Sequence, residues 1–287
     1  MFMSGVFVRW CVLMTALSLG AGCASDPAQT EPVSGVFSVL TYNVAGLPEG
    51  ISGSNPEANM PVISPLLNDY DLAFVQEDFW YHEALIQSAQ HPYQSDPKEK
   101  HKTVVDDGLN HFSIFPFSNF ERHQWVACFG TLDNSNDCLA EKGFSVATFA
   151  IAPGVEVDVY NHHAEAGGGP EDNAAREAGF AQLSEFMTTH SAGKAVIVAG
   201  DTNLHGFDPT DEPVLAAFMA AQDLTDSCRS LDCGEESIDR VLHRSSDALS
   251  LKAVFWERPP QFVDAEGGPL SDHFPVHVRI EWQWTQP

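Results

Sequence analysis

Val196-Ile-Val-Ala-Gly-Asp-Thr-Asn203 decides how this chain is read. The apolar run is too short for a helix and reads as a buried strand. Gly200 allows the backbone to turn sharply. Asp201 and Asn203 then sit at the carboxyl end of the strand, where open α/β sheets place their sites. Gly, Asp and Asn are also ordinary turn residues, so the stretch gains its weight from similar elements elsewhere. Five other polar clusters follow or interrupt apolar runs: Tyr42-Asn43, Gln76-Glu77, Asn161-His162-His163, Ile238-Asp239-Arg240-Val241 and Ser271-Asp272-His273-Phe274-Pro275-Val276.

The strands around this one follow from period-two apolar patterning. Val36–Tyr42 is the first, then Leu72–Gln76, Phe144–Ile151, Glu156–Tyr160, Ser237–Leu242, Leu251–Trp256 and Val276–Ile280 with alternation through Trp284. Gly108–Phe120 reads as an edge strand and its turn. Helices are expected from Pro61, over Phe79–Gln90, after an Asn173 cap with a stripe of Phe180, Leu183, Phe186 and Met187, and over Glu212–Ala221. Ile51–Met60 reads as loop. Ala164–Asp172 is a Gly-rich loop able to move over a ligand. An acid inside a strand, as at Asp239, needs a partner, and a histidine is the natural one.

Composition narrows the class. The 287 residues are 44% hydrophobic, as in a globular protein. Fourteen Lys and Arg stand against 40 Asp and Glu, a formal charge of −26. Such a surface repels polyanions and counts against non-specific nucleic-acid binding. Lys98, Lys100 and Lys102 form the one dense basic patch, read as a solvated loop or a phosphate-binding rim.

Residues 1–23 read as an export signal: Arg9, then an apolar run from Trp10 to Leu19 too short to span a bilayer. Its end, Leu19-Gly-Ala-Gly-Cys23, resembles a bacterial lipobox, with Gly20 where the pattern usually has Leu. Lipidation of Cys23 would make an outer-surface or periplasmic lipoprotein; cleavage nearby would make a secreted one. Residues 24–35 read as a linker and 36–287 as one catalytic domain. An exported chain permits disulfides. Cys128, Cys138, Cys228 and Cys233 allow three pairings. The local pairs 128–138 and 228–233 are preferred because each closes a polar loop.

In the same order along the chain, the six clusters resemble the motifs of the endonuclease/exonuclease/phosphatase superfamily, which includes deoxyribonucleases, sphingomyelinases and inositol-phosphate phosphatases. The resemblance covers roughly residues 36–281. It implies a four-layer α/β sandwich, two mixed β-sheets face to face with helices outside. It also implies a divalent-metal-dependent phosphoesterase that attacks with an activated water. Glu77 would bind Mg²⁺ (or Mn²⁺ or Ca²⁺), with Asn43 on the metal or phosphate and Asp272 supporting the metal or a neighbouring loop. His273 would be the general base, held by Asp239. His163 would contact the phosphate or assist the leaving group, and Asn203 would hydrogen-bond the phosphate. Asp201 would orient the water or join a second metal site. His162 falls in a variable slot.

Tyr42-Asn-Val-Ala-Gly-Leu-Pro48 is most similar to the sphingomyelinase branch, which implies a phospholipid substrate, with an extracellular nuclease as the alternative. An inactive binding module on the same scaffold ranks last, because every matched position is intact. The branch also implies membrane-surface contact through an aromatic hairpin, here Val254–Phe262, although Trp256 reads equally well as core. A monomer is expected.

Overall fold

A computed structural model describes residues 33–98, 105–130, 137–234 and 237–285. The export signal, Cys23 and residues 24–32 of the linker lie outside the described residues, as do His101, Lys100 and Lys102. Lys98 is described, and it pairs with Glu141.

Two six-stranded mixed sheets pack face to face. In the first, β1 (Val33–Asn43) lies between β12 (Val276–Trp284), antiparallel, and β2 (Leu72–Gln76), parallel. Beyond β12 lies β11 (Leu249–Glu257). Beyond β2 lie β4 (Asn110–Ser113) and β3 (Tyr93–Gln94). The second sheet runs β5 (Phe117–Gln124), β6 (Gly143–Ala152), β7 (Val155–His163), β8 (Val196–Asp201), β10 (Asp239–Arg244) and β9 (Thr225–Asp226). Here β7 and β8 are parallel and β10 returns antiparallel.

Both faces of each central strand are covered, which is why β8 reads as continuously apolar rather than alternating. Ile197 and Ala199 face the core between the sheets, with Phe37, Val39, Phe74, Phe149 and Val159. Val196 and Val198 face outward onto α3 (Pro170–His190) and α4 (Asp211–Gln222), against Phe180, Leu183, Met187, Leu215 and Phe218. On the outside of the first sheet, Leu40, Tyr42 and Val75 meet Met60 and Ile63 of α1 (Pro56–Leu66) and Leu85 of α2 (His82–Ile86). A fifth helix, α5 (Ser227–Ser230), is a single turn capped by the Asp226 carboxylate. The result is the expected order of helix, sheet, sheet, helix. Among the described residues no helix is long and apolar enough to cross a membrane.

Several local expectations are corrected. Strand β1 begins at Val33, inside the expected linker, because Val33–Gly35 pair with Trp284–Trp282. Residues 56–60 of the segment read as loop belong to α1, which starts on Pro56, whose fixed φ suits a first helical position. Phe79–Gln90 is helical only over His82–Ile86. The Asp78 carboxylate before it accepts from Asn110 Nδ2 at 2.7 Å and meets His82 Nδ1 at 2.5 Å. Gly108–Phe120 is no single edge element, since β4 lies in one sheet and β5 begins the edge of the other. Helix α3 starts on Pro170 behind Gly169, not at Asn173.

Gly200 also has a different reason from the one expected. It is inside β8, paired with Arg240 and His162. Its φ is +148°, and a Cβ there would collide with the His162 carbonyl oxygen. The glycine serves close strand approach rather than a turn. Gly200→Ala is expected to cost about 3 kcal/mol. A urea midpoint equal to that of the wild type would contradict this packing.

Candidate active site

Each site residue stands where a strand reaches the same end of the sandwich. Asn43 ends β1, His163 ends β7 and Asp201 ends β8, while Asp239 opens the antiparallel β10. Glu77 directly follows β2 and His273 lies just before β12. Parallel pairing of β1 with β2 and of β7 with β8 brings four carboxyl ends together. Across the two sheets, Gln76 Nε2 donates to Asn161 Oδ1 at 2.7 Å, and Asn161 Nδ2 donates to the Val75 carbonyl at 2.9 Å. Asn161 is thus a tie between sheets beneath the site. The backbone bends sharply at the rim: Ala45, Glu77 and Asn203 all have positive φ, at 49°, 57° and 48°. Strain at non-glycine residues is retained where the surroundings over-determine it, as at functional sites.

Asp201 Oδ2 is the hub. Asn43 Nδ2 donates to it at 3.1 Å and Asn203 Nδ2 at 3.3 Å. His163 Nε2 lies 3.4 Å away and His273 Nε2 3.7 Å away. The other oxygen, Oδ1, accepts the Asn203 backbone N–H at 2.9 Å. Asn43 Nδ2 also donates to Glu77 Oε1 at 3.0 Å, and His163 Nε2 is 3.7 Å from that oxygen. All of these side chains are buried or nearly so. Such a knot of carboxylates is held in water-poor surroundings, which favours neutral forms unless a cation is present.

Opposite the hub, His273 Nδ1 faces both Asp239 oxygens, at 3.2 and 3.1 Å. This fixes the ring and leaves Nε2 toward Asp201 and Asn43, 3.4 Å from the Asn43 amide. Burial alone would lower the His273 pKa, but the Asp201 charge and then the Asp239 hydrogen bond and charge push it up to about 10. Burial raises Asp239 to about 6, with the Asp201 charge adding and the His273 hydrogen bond opposing. Burial likewise raises Glu77, against the Lys142 charge and the Asn43 hydrogen bond. His163 is held neutral, its pKa well below the usual value through burial and then the Lys142 charge.

The donor chemistry fits a hard divalent cation. Glu77 and Asp201 present carboxylate oxygens and Asn43 an amide beside them, the oxygen-rich set Mg²⁺ prefers. Asp201, Asp239 and His273 also offer ligand atoms within 4.8 Å of one another. In that trio, Asp239 and His273 already engage each other. Asp272, expected to support the metal or a neighbouring loop, meets other partners. It is exposed and lies so close to Gly53 that a Cβ there would collide with its carboxylate. These contacts place it on the loop that precedes β12. Ser271 Oγ in turn donates to the Asn43 carbonyl at 2.7 Å and anchors this loop to β1.

The expected projecting hairpin at Val254–Phe262 is absent. Trp256 lies in β11 opposite Val278 and packs against the core between the sheets. Phe262 is buried edge-on to Tyr42, with ring centres 5.1 Å apart. Lys142 escaped the sequence reading altogether. It is buried, donates from Nζ to the Ala164 carbonyl at 3.4 Å, and places its charge near Glu77 and His163. The signal was an isolated Lys before Gly143, at the foot of a strand. The disulfides are the local pairs, Cys128–Cys138 and Cys228–Cys233, with Cα separations of 5.3 and 5.0 Å.

No protein-family profile matches the chain. A sphingomyelinase of Mycobacterium tuberculosis (strain ATCC 25618 / H37Rv) is 36% identical over 282 residues, covering 88% of this chain and 54% of that protein. The chain therefore spans about half the length of the curated relatives it matches. Among solved structures, sphingomyelinase C from Streptomyces griseocarneus superposes with a TM-score of 0.63 at 22% identity, over 85% of this chain and 99% of that one. A beta toxin from Staphylococcus aureus, a mutant with bound magnesium ions, gives 0.62 at 16% identity, over 87% and 99%. An endonuclease/exonuclease/phosphatase family protein from Bacteroides thetaiotaomicron gives 0.60 at 20% identity, over 87% and 98%.

The chain is a sphingomyelinase homologue with the endonuclease/exonuclease/phosphatase fold. In this homologue the motif order of the sequence is also the spatial order around Asp201.

Acid should unfold this homologue well above the carboxylate range. Burial lowers His162 and His243 to about 4 and pushes His111 and His163 down as well. His162 Nδ1 donates to the Ala199 carbonyl at 3.0 Å. Between pH 6.5 and 4 the unfolded chain binds these four protons and the folded chain does not; Asp239 and Glu77, raised in the folded chain, oppose this, but the four histidines outnumber them, so stability falls as pH falls. His162 alone contributes a loss of about 2 kcal/mol between pH 7.5 and 5. Urea unfolding at the two pH values measures it; equal stability at both would contradict the buried neutral histidines.

Proposed function

We propose that the chain is a divalent-metal-dependent phosphodiesterase of sphingomyelinase type that hydrolyses a phospholipid by in-line attack of water. The observation that carries this is the convergence of His273, held by Asp239, with Asp201, Asn43, Glu77 and His163. Glu77 and Asn43 would hold Mg²⁺ with Asp201 beside them, and the bound cation would neutralise charge on the phosphoryl oxygens. The magnesium bound in the Staphylococcus aureus beta toxin structure supports that choice of ion.

The rest is work for the protein's own groups. A cation held by Glu77 and Asp201 would offset their field on His273, whose Nε2, turned toward Asp201 by Asp239, is placed to take a proton from the attacking water. Asp239 stabilises the imidazolium that forms. Asn203 and neutral His163 donate to the phosphoryl oxygens, and Lys142 adds positive charge behind them. Asp272 serves the loop that carries His273.

The lipid reading has support at the rim. Trp80, Phe207 and Phe274 are exposed by 55%, 82% and 55% on the loops that follow Glu77, Asn203 and His273. Apolar side chains around a site mouth fit contact with a bilayer surface. These replace Val254–Phe262 as the proposed membrane contact. The formal charge of −26 favours zwitterionic over anionic lipid. Two disulfides and the signal-like segment before Cys23 fit an exported protein, lipidated at Cys23.

A nuclease is the second reading. It is favoured by a D. rerio TDP2 structure complexed with single-strand DNA product, which superposes with a TM-score of 0.62 at 17% identity. Mg²⁺-dependent release of phosphocholine from sphingomyelin vesicles, assayed beside nicking of plasmid DNA, separates the two. Phosphocholine release without nicking is expected; nicking without release would transfer the same residues to a nuclease. His273→Ala is expected to lower turnover by about 10³-fold while Mg²⁺ binding, followed by calorimetry, persists. Near-normal turnover in that variant would overturn the base assignment.

A further inference from the structure

Directly beneath the catalytic knot lies a buried polar layer that the mechanism above does not use. On the faces turned to the core between the sheets, β1 runs Phe37, Val39, Thr41, Asn43 and β7 runs Val157, Val159, Asn161, His163. On the same side β2 runs Leu72, Phe74, Gln76 before the chain bends at Glu77. Each strand is apolar, then polar, then reaches the site. In β1 and β7 the polar step lies one side-chain repeat, about 7 Å, below the site residue. Gln76 Nε2 reaches Asn161 Oδ1 at 2.7 Å, Thr41 Oγ1 at 3.0 Å and the Phe74 carbonyl at 3.3 Å. Asn161 Nδ2 donates to the Val75 and Asn110 carbonyls at 2.9 and 3.3 Å. The two amides therefore stitch β1, β2 and β4 of one sheet to β7 of the other.

Stability does not ask for this layer. Thr41, Gln76 and Asn161 are fully buried, and a buried hydrogen bond returns little net free energy because water is given up for it. Gln76 Oε1 meets no donor among the described residues, and a buried polar atom left so is a cost. Leucines at both positions would continue the apolar core of Phe74 and Val159 up to the rim without it. Amides supply what leucines do not, a fixed distance and direction between two backbones. The residues beside them are those whose spacing matters. Glu77 follows Gln76 with a φ of 57°, a strained bend that persists where its surroundings over-determine it. Asn43 stands opposite Gln76 in the strand register. From there Asn43 Nδ2 reaches Glu77 Oε1 at 3.0 Å, and His163 Nε2 lies 3.7 Å from the same oxygen.

We infer that Gln76 and Asn161 are positioning residues, and that their amide tie between the sheets holds Glu77 at its spacing from Asn43 and His163 for metal binding and turnover, at the expense of stability. The tie touches neither substrate nor cation and acts only through the strand ends above it. This rests on the metal-dependent phosphodiesterase reading above, and it can fail separately from it.

A double-variant cycle separates positioning from structural support. Gln76→Leu and Asn161→Leu each leave one amide stranded, and each is expected to melt below the wild type. The double variant has no amide left to satisfy and is expected to melt near the wild type, with all melts run without metal. Were the tie structural only, function would return with stability. Instead the double variant is expected to bind Mg²⁺ about tenfold more weakly by calorimetry. Its kcat on sphingomyelin vesicles is expected to fall about 100-fold. Tyr160→Phe is the control. It removes the hydroxyl that meets Ser191 Oγ at 2.6 Å on the outer face of the same strand, and it is expected to melt lower with Mg²⁺ affinity and kcat unchanged. Wild-type Mg²⁺ affinity and kcat in the double variant would overturn the inference. If the double variant does not fold, Thr41→Val, which removes one bond to Gln76 and keeps both amides, carries the same two readouts. Both are expected to fall, and wild-type values there would overturn the inference equally. If the wild type hydrolyses no sphingomyelin, the substrate reading falls, and the Mg²⁺ comparison still decides the positioning role.

Discussion

One buried carboxylate, Asp201, is the constraint around which the site is assembled. It ends β8, and from there touches residues delivered by β1, β7 and the loop before β12. A buried anion costs free energy unless neighbours compensate it. Two asparagine amides do part of this, and two imidazoles stand ready to do more. The excess of acid still shows in the pKa values. Glu77 and Asp239 are held above their usual range, and His273 far above its own. Upward displacement of both an acid and its imidazole partner is the signature of a site short of positive charge, and of one built to receive it.

The fold is the means of bringing these groups together. Two parallel strand pairs, one in each sheet, send their carboxyl ends to the same edge. The Gln76–Asn161 pair ties those sheets just below it. Gly200 lets β7 and β8 approach closely enough for His163 to reach Asp201. Outside, the helices contribute packing more than chemistry, although the start of α3 shapes the pocket next to Asn203 through Arg176.

Much of this was legible in the sequence, for identifiable reasons. A strand buried on both faces, such as Val196–Asp201, leaves an unbroken apolar run, and the polar residue that ends it marks the edge of the sheet. Asn43, Glu77, His163 and Asp201 could be found that way; Asp239 and His273 stand before or at the start of their strands and came with the family resemblance. What stayed hidden depended on contacts distant in sequence. Asp272 belongs to the same motif as His273, but its neighbour is Gly53, and no pattern announces that. Lys142 is a lone cation whose role comes from burial near Glu77. Trp256 has the composition of a membrane hairpin, yet pairing with β12 turns it toward the core. The exposed apolar residues that replace it, Trp80, Phe207 and Phe274, are single side chains in loops, without periodicity to reveal them.

The central claim is that one electrostatic unit couples metal binding at Glu77 and Asp201 to the basicity of His273. The most direct measurement is the ring pKa of His273 by NMR, with and without saturating Mg²⁺. The account predicts titration near 10 without the ion and a fall of several units toward neutrality with it. A His273 pKa unchanged by Mg²⁺, in protein shown by calorimetry to bind the ion, would contradict it.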